Sequence, residues 1–71
     1  MVNVKALRDI MYHKDISVEE LAKRINKDKA TLYRRFGDPD SFTVGEIEGI
    51  ARELEIGINE AMPVFFAQIV A

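Results

Sequence analysis

An all-α domain of five short helices is what this 71-residue chain predicts, on three observations. Apolar residues recur at helical spacing in every segment. Asn3, Ser17, Asp28 and Thr43 each stand just ahead of such a run, where a side-chain oxygen can cap a helix. The length allows one hydrophobic core, so residues 1–71 read as one domain.

The elements follow in order. Asn3 caps the first helix, with Val2 and Leu7 as a hydrophobic staple and Leu7, Ile10 and Met11 on its inner face. Ser17-Val18-Glu19-Glu20 is a capping box that opens the second, with Ile16 and Leu21 as staple and Leu21, Ala22 and Ile25 as buried stripe. Asn26 tolerates the left-handed backbone needed to leave that helix. Asp28 caps the third, which carries Leu32 and Phe36 on one face, and Gly37 is expected to stop it. Asp38-Pro39-Asp40-Ser41 reads as a turn. Thr43-Val44-Gly45-Glu46 is a second capping box, and Phe42 with Ile47 repeats the staple. Val44, Ile47, Ile50, Ala51 and Leu54 mark the expected buried side of the fourth helix, which Gly57 ends. Gly45 and Gly49, one turn apart, read as tolerated exposed positions more readily than as sites of close helix approach. A fifth helix over residues 58–70 would bury Ile58, Met62, Phe65 and Ile69; a strand from Val64 to Val70 competes, but its alternation fails at Phe65-Phe66.

Composition excludes several classes of function. The chain is 48% hydrophobic and 31% charged, too apolar for a disordered tail. It has no cysteine, hence no disulfide, no thiol nucleophile and no cysteine-bound zinc. His13 is the single histidine, so neither a histidine metal cluster nor a Ser-His-Asp grouping can be argued. So small a core hardly supplies the walls of a catalytic cleft, and no enzyme, cofactor, metal or small-molecule substrate is expected. There is no signal-peptide pattern and no bilayer-length apolar run, so the chain is expected in the cytoplasm, off the membrane.

Net charge is −2, but it is divided. Residues 1–36 carry nine basic against five acidic side chains, a net of +4; residues 37–71 carry one against seven, a net of −6. From Lys23 to Arg35 six basic side chains face only Asp28, a local +5. A polyanion is met by one face and repelled by the other.

That basic run lies within residues 17–36, two short helices joined at Asn26-Lys27-Asp28, the spacing of a helix-turn-helix whose second helix enters the DNA major groove. Ala22 supplies the small residue at the crossing, and Leu21, Ile25 and Leu32 anchor the second helix. With Leu32 and Phe36 inward, a rotation of about 100° per residue turns Ala30 and Arg34 outward and sets Thr31 and Tyr33 on the shoulders. Lys29 stands at the tip. Arg34 suits guanine, and Thr31 and Ala30 suit thymine methyls. Tyr33 reads equally as a base contact or a core-edge aromatic. Lys27 and Arg35, with Ser17 and Thr43 at helix starts, suit phosphates; for Arg35 simple solvation is the other reading.

Ile16-Ser17-x-x-Glu20-Leu21-Ala22-x-x-Ile25 followed by Thr31-Leu32-Tyr33 resembles the phage repressor and Cro-type, or XRE-like, helix-turn-helix proteins. Phe42-Thr43-x-x-Glu46-x-x-x-Ile50-Ala51-x-x-Leu54-x-Ile56 is similar to that family's fourth helix. The resemblance spans roughly residues 7 to 62. It implies a compact, five-helix, lambda-repressor-like domain that binds double-stranded DNA at an operator, usually as a homodimer. Two positions depart from it. Asn26 stands where the family commonly has Gly, and Met11 and Phe36 stand where it commonly pairs an Arg with a Glu. The paired change predicts that Met11 and Phe36 touch. Phe66 and Val70, on the shoulder of the last helix, are the expected dimer contacts. A regulator of transcription is thus the leading expectation. The alternative is a helical protein-interaction module, such as an antirepressor or assembly factor, that uses the same fold without DNA.

Overall fold

The computed structural model describes residues 2–57, which form four α-helices and one 3-10 turn. These are α1 (Val4–His13), α2 (Val18–Arg24), α3 (Lys29–Gly37), the 3-10 turn Pro39–Ser41 and α4 (Val44–Glu53). The expected fifth helix, with Phe66 and Val70, lies outside the described residues.

Three helix starts are capped as the sequence predicts. Asn3 Oδ1 accepts from the Ala6 amide at 3.1 Å, and Ser17 Oγ accepts from the Glu20 amide at 3.1 Å. At α4 the box is reciprocal: Thr43 Oγ1 accepts from the Glu46 amide at 3.1 Å, and the Thr43 amide donates to Glu46 Oε1 at 2.9 Å. The Ser17 box is only half made, because the Glu20 carboxylate turns along α2 to accept from Arg24 Nε at 3.5 Å. Asp28 occupies the N-cap of α3 with extended backbone, but its carboxylate makes no capping bond.

The helix exits share one device. Asp15, Asn26 and Glu55 have φ of 58°, 58° and 54°. Around each, two amides fold back on the helix just ended: Asp15 to Tyr12 and Ile16 to Met11, Asn26 to Lys23 and Lys27 to Ala22, Glu55 to Arg52 and Ile56 to Ala51. These are Schellman motifs, which satisfy the last carbonyls of α1, α2 and α4. The glycines expected as stops do not serve so. Gly37 is the last residue of α3, Gly57 lies beyond the end of α4, and neither has a positive φ. Chain reversal after α3 comes from Asp38 and Pro39, where the Ser41 amide and hydroxyl both donate to the Asp38 carbonyl, at 2.9 and 2.6 Å.

All four helices contribute to one core. Leu7, Leu21, Leu32, Ile50 and Leu54 are essentially sealed from solvent, and Val2, Met11, Val18, Ala22 and Phe36 complete the buried cluster. Full burial of such a side chain contributes about 1.5–3 kcal/mol. Val44, expected inside, is 72% exposed, since as the first residue of α4 it precedes the turn that meets the core. Gly49 is the opposite correction. It is buried, and a Cβ built there would lie 3.3 Å from Ile25 Cγ2, so α4 crosses the end of α2 at a distance that glycine permits. Gly45 has open space around it, as expected of an exposed position.

Met11 and Phe36 belong to the same buried cluster. Two further groups meet the Phe36 ring: the Arg8 guanidinium lies 4.9 Å from its centroid, and the Phe42 ring 6.0 Å away. The first helix therefore grips the end of α3 through Arg8, in a cation–π contact of about 0.5–1 kcal/mol.

Candidate nucleic-acid interface

The interface is built on α2, the turn Ile25–Asp28 and α3. Ala22, almost fully buried, lets α2 and α3 pack closely, and Asn26 in the left-handed region turns the chain between them. Leu32 and Phe36 hold the inner face of α3 in the core, which commits its other face outward. Lys29, Ala30, Tyr33 and Arg34 are exposed there and Thr31 is half-buried. An Arg34 Nη2 lies 3.4 Å from Thr31 Oγ1, so the guanidinium is steadied one turn from its own backbone. Lys23, Asn26, Lys27, Asp28, Thr31, Arg34 and Arg35 line a shallow groove of about 580 Å³ along this side.

Two of the expected phosphate contacts are engaged inside the protein. Arg35 Nε donates to both Glu46 oxygens, at 2.9 and 3.2 Å. The Glu46 side chain is 1% exposed and that of Arg35 22%. Burial pushes the Glu46 carboxyl up, but the Arg35 guanidinium, the Thr43 amide and the charges of Arg35 and Lys27 outweigh it and hold the carboxyl below its ordinary value. Arg35 is thus a tether between α3 and the start of α4, not a free cation. The Thr43 amide is likewise taken, by Glu46. Ser17, Lys27 and the Thr43 residue itself remain exposed at the surface.

Tyr33 is not a core-edge aromatic. It is 45% exposed, and its hydroxyl donates to Glu19 Oε2 on the first turn of α2 at 2.7 Å. The bond raises the Tyr33 phenol above its ordinary value and lowers the Glu19 carboxyl below its own. Glu19 and Glu46 are the partners of candidate site residues that sequence reasoning missed. The capping-box motif marked Glu46, but its bond to Arg35 depends on how α3 and α4 cross.

Among the described residues no group of three or more His, Cys, Asp and Glu side chains could hold a metal, and no helix is long and apolar enough to cross a membrane. His13 closes α1, its Nδ1 2.7 Å from the Asp9 carbonyl.

A buried platform presenting a short basic helix beyond a tight turn defines a helix-turn-helix protein of the DNA-binding kind. The chain belongs to the Cro/C1-type HTH DNA-binding domain family, which it matches over residues 6–64. Comparison with curated proteins and with solved structures gives no significant match.

Proposed function

We propose that this protein is a sequence-specific transcriptional regulator of the phage or bacterial repressor and Cro type, which occupies a pseudo-palindromic operator with α3 in the major groove. The observation that carries the reading is the division of α3 into a buried apolar face and an exposed face bearing Lys29, Ala30, Thr31 and Arg34. Arg34 donates to a guanine edge, Lys29 reaches from the tip, and Ala30 and Thr31 meet thymine methyls. Lys27 and the hydroxyls of Ser17 and Thr43 contact phosphates, while Arg35 adds charge from its place beside Glu46.

So short a reading helix covers only a few base pairs. A two-fold homodimer places two such helices about 34 Å apart on successive turns of the duplex. Phe66 and Val70 are our candidates for the contact between copies. Sedimentation of the wild type and of a Phe66→Ser, Val70→Ser variant tests that contact. A monomeric wild type at tens of micromolar, or a variant that still dimerises, removes it.

A gel-shift titration on duplex DNA at two salt concentrations tests the DNA reading. Affinity is expected to fall steeply with salt through counterion release. Arg34→Ala costs about 1–3 kcal/mol and relaxes preference at one base pair, whereas Lys27→Ala weakens all sequences alike. Salt-independent binding, or none at low salt, would instead favour a protein-interaction module.

A further inference from the structure

We propose that Glu19 makes Tyr33 an acceptor-only reader of DNA, so that this side of α3 recognises the exocyclic amine of a cytosine or an adenine. The assignment rests on the reading of α3 as the groove-entering helix.

A free tyrosine hydroxyl is both donor and acceptor, and can bond a phosphate, a guanine edge or a base amine equally well. Tyr33 has no such freedom. Its hydroxyl lies 2.7 Å from Glu19 Oε2, the length of a charge-assisted O–H···O⁻ bond. An ionised carboxylate has only lone pairs to offer, so the proton in that bond is the phenol's. The shifts of the two groups agree: the carboxyl is held ionised and the phenol protonated. What the Tyr33 oxygen presents outward is therefore a lone pair. In the major groove the donors that match it are cytosine N4–H and adenine N6–H; guanine O6 and N7 and thymine O4 are acceptors and do not.

The same bond excludes a phosphate contact. The phenol has no second proton to give, and the neighbouring Glu19 carboxylate repels a phosphate. Both residues are exposed, and the chain folds its core without them. The arrangement sets acceptors beside donors along one helix, with Tyr33 and Glu19 on one flank and Arg34 one residue further on. Glu19 acts here as a positioning residue: it fixes where the Tyr33 proton points.

The test is selection of bound duplexes from a randomised pool by the wild type, Tyr33→Phe and Glu19→Ala, with sequencing of what is retained. The wild type is expected to select C or A at one position of each half-site. Tyr33→Phe loses that preference by about 3- to 10-fold, the worth of one hydrogen bond, and leaves the other positions unchanged. Glu19→Ala frees the phenol proton, so G and T become admissible at the same position. Alongside, in a Tyr12→Phe background, the remaining phenol titrates above its ordinary range, and Glu19→Ala returns it. Uniform weakening of all sequences by Tyr33→Phe would make Tyr33 a phosphate contact and overturn the assignment. An unchanged base preference in Glu19→Ala, or a phenol that titrates normally, would overturn it too. If the wild type retains no duplex at low salt while the phenol is still raised, the DNA reading itself falls and the base assignment with it, leaving only the Glu19–Tyr33 bond.

Discussion

Replacing Glu46 by Ala removes two things at once: the acceptor for the Thr43 amide and the partner of Arg35. Breaking one side of a buried ion pair costs about 3–5 kcal/mol, because the remaining charge is left without compensation. Arg35 keeps 22% of its side chain exposed and can turn toward water, which places the expected loss at the lower end, about 3 kcal/mol. At about 0.05–0.15 kcal/mol per residue the whole domain is worth only about 4–11 kcal/mol, so this is a large share. The midpoint of thermal unfolding should fall by about 12–24 °C, at about 4–8 °C per kcal/mol for a domain of this size. Glu46→Gln keeps an acceptor for Thr43 but loses the charge, and should fall between the two. Arg35→Met with Glu46→Leu removes both charges together and should recover most of the loss. The pH dependence follows from the sign of the shift. The folded carboxyl titrates below its ordinary value, so the pair's contribution is complete above the unfolded value and drains as pH falls through the folded one. The gap between wild type and Glu46→Ala should therefore narrow from neutral pH to below about pH 4. Circular dichroism melts across that range provide the assay. A Glu46→Ala protein as stable as wild type, or a double variant no better than the worse single one, would refute the tether.

Other substitutions probe the remaining devices. Gly45→Ala, with open space around it, should stabilise α4 by about 0.5 kcal/mol in urea unfolding, whereas Gly49→Val should cost about 1–3 kcal/mol by forcing α4 away from Ile25. Glu55→Gly should raise stability by about 1 kcal/mol, because a glutamate held at φ 54° is strained. Asn26→Gly should change stability less, since asparagine accepts that conformation more readily; equal gains at both positions would argue against backbone strain as the cause. Met11→Arg places a charge in the buried cluster and should lower the melting midpoint clearly; retention of full thermal stability would show that this end of α1 can open to water.

Helix starts were legible because a cap is local: Asn3, Ser17 and Thr43 each bond an amide three residues on. Helix exits were legible only at Asn26. Glu55 adopts the same turn with a side chain that carries no such signal, and the tolerance of Asp15 for it went unread, while Gly37 and Gly57 carry the signal without the turn. The outward face of α3 followed from helical periodicity, and the exposure of Lys29, Ala30, Tyr33 and Arg34 agrees with it. The fates of Tyr33 and Arg35 did not follow. Their partners lie 14 and 11 residues away on other helices, so each bond depends on crossing geometry that no local spacing encodes. Gly49 was misread for the same reason: its neighbour is Ile25, on an element far from it in sequence.

The two faces of α3 differ in what a mutation does to them. Leu32 and Phe36 are fixed by a core that tolerates little change of volume. Lys29, Ala30 and Arg34 touch none of it, and exchanges at such surface positions usually move stability by less than about 0.5 kcal/mol. A lineage can therefore rewrite the outward residues one at a time without crossing the threshold below which the domain unfolds. If α3 reads DNA as proposed, copies that begin with the same preference can drift apart while the scaffold beneath them stays the same, and two regulators in one cell can cease to compete after a few substitutions.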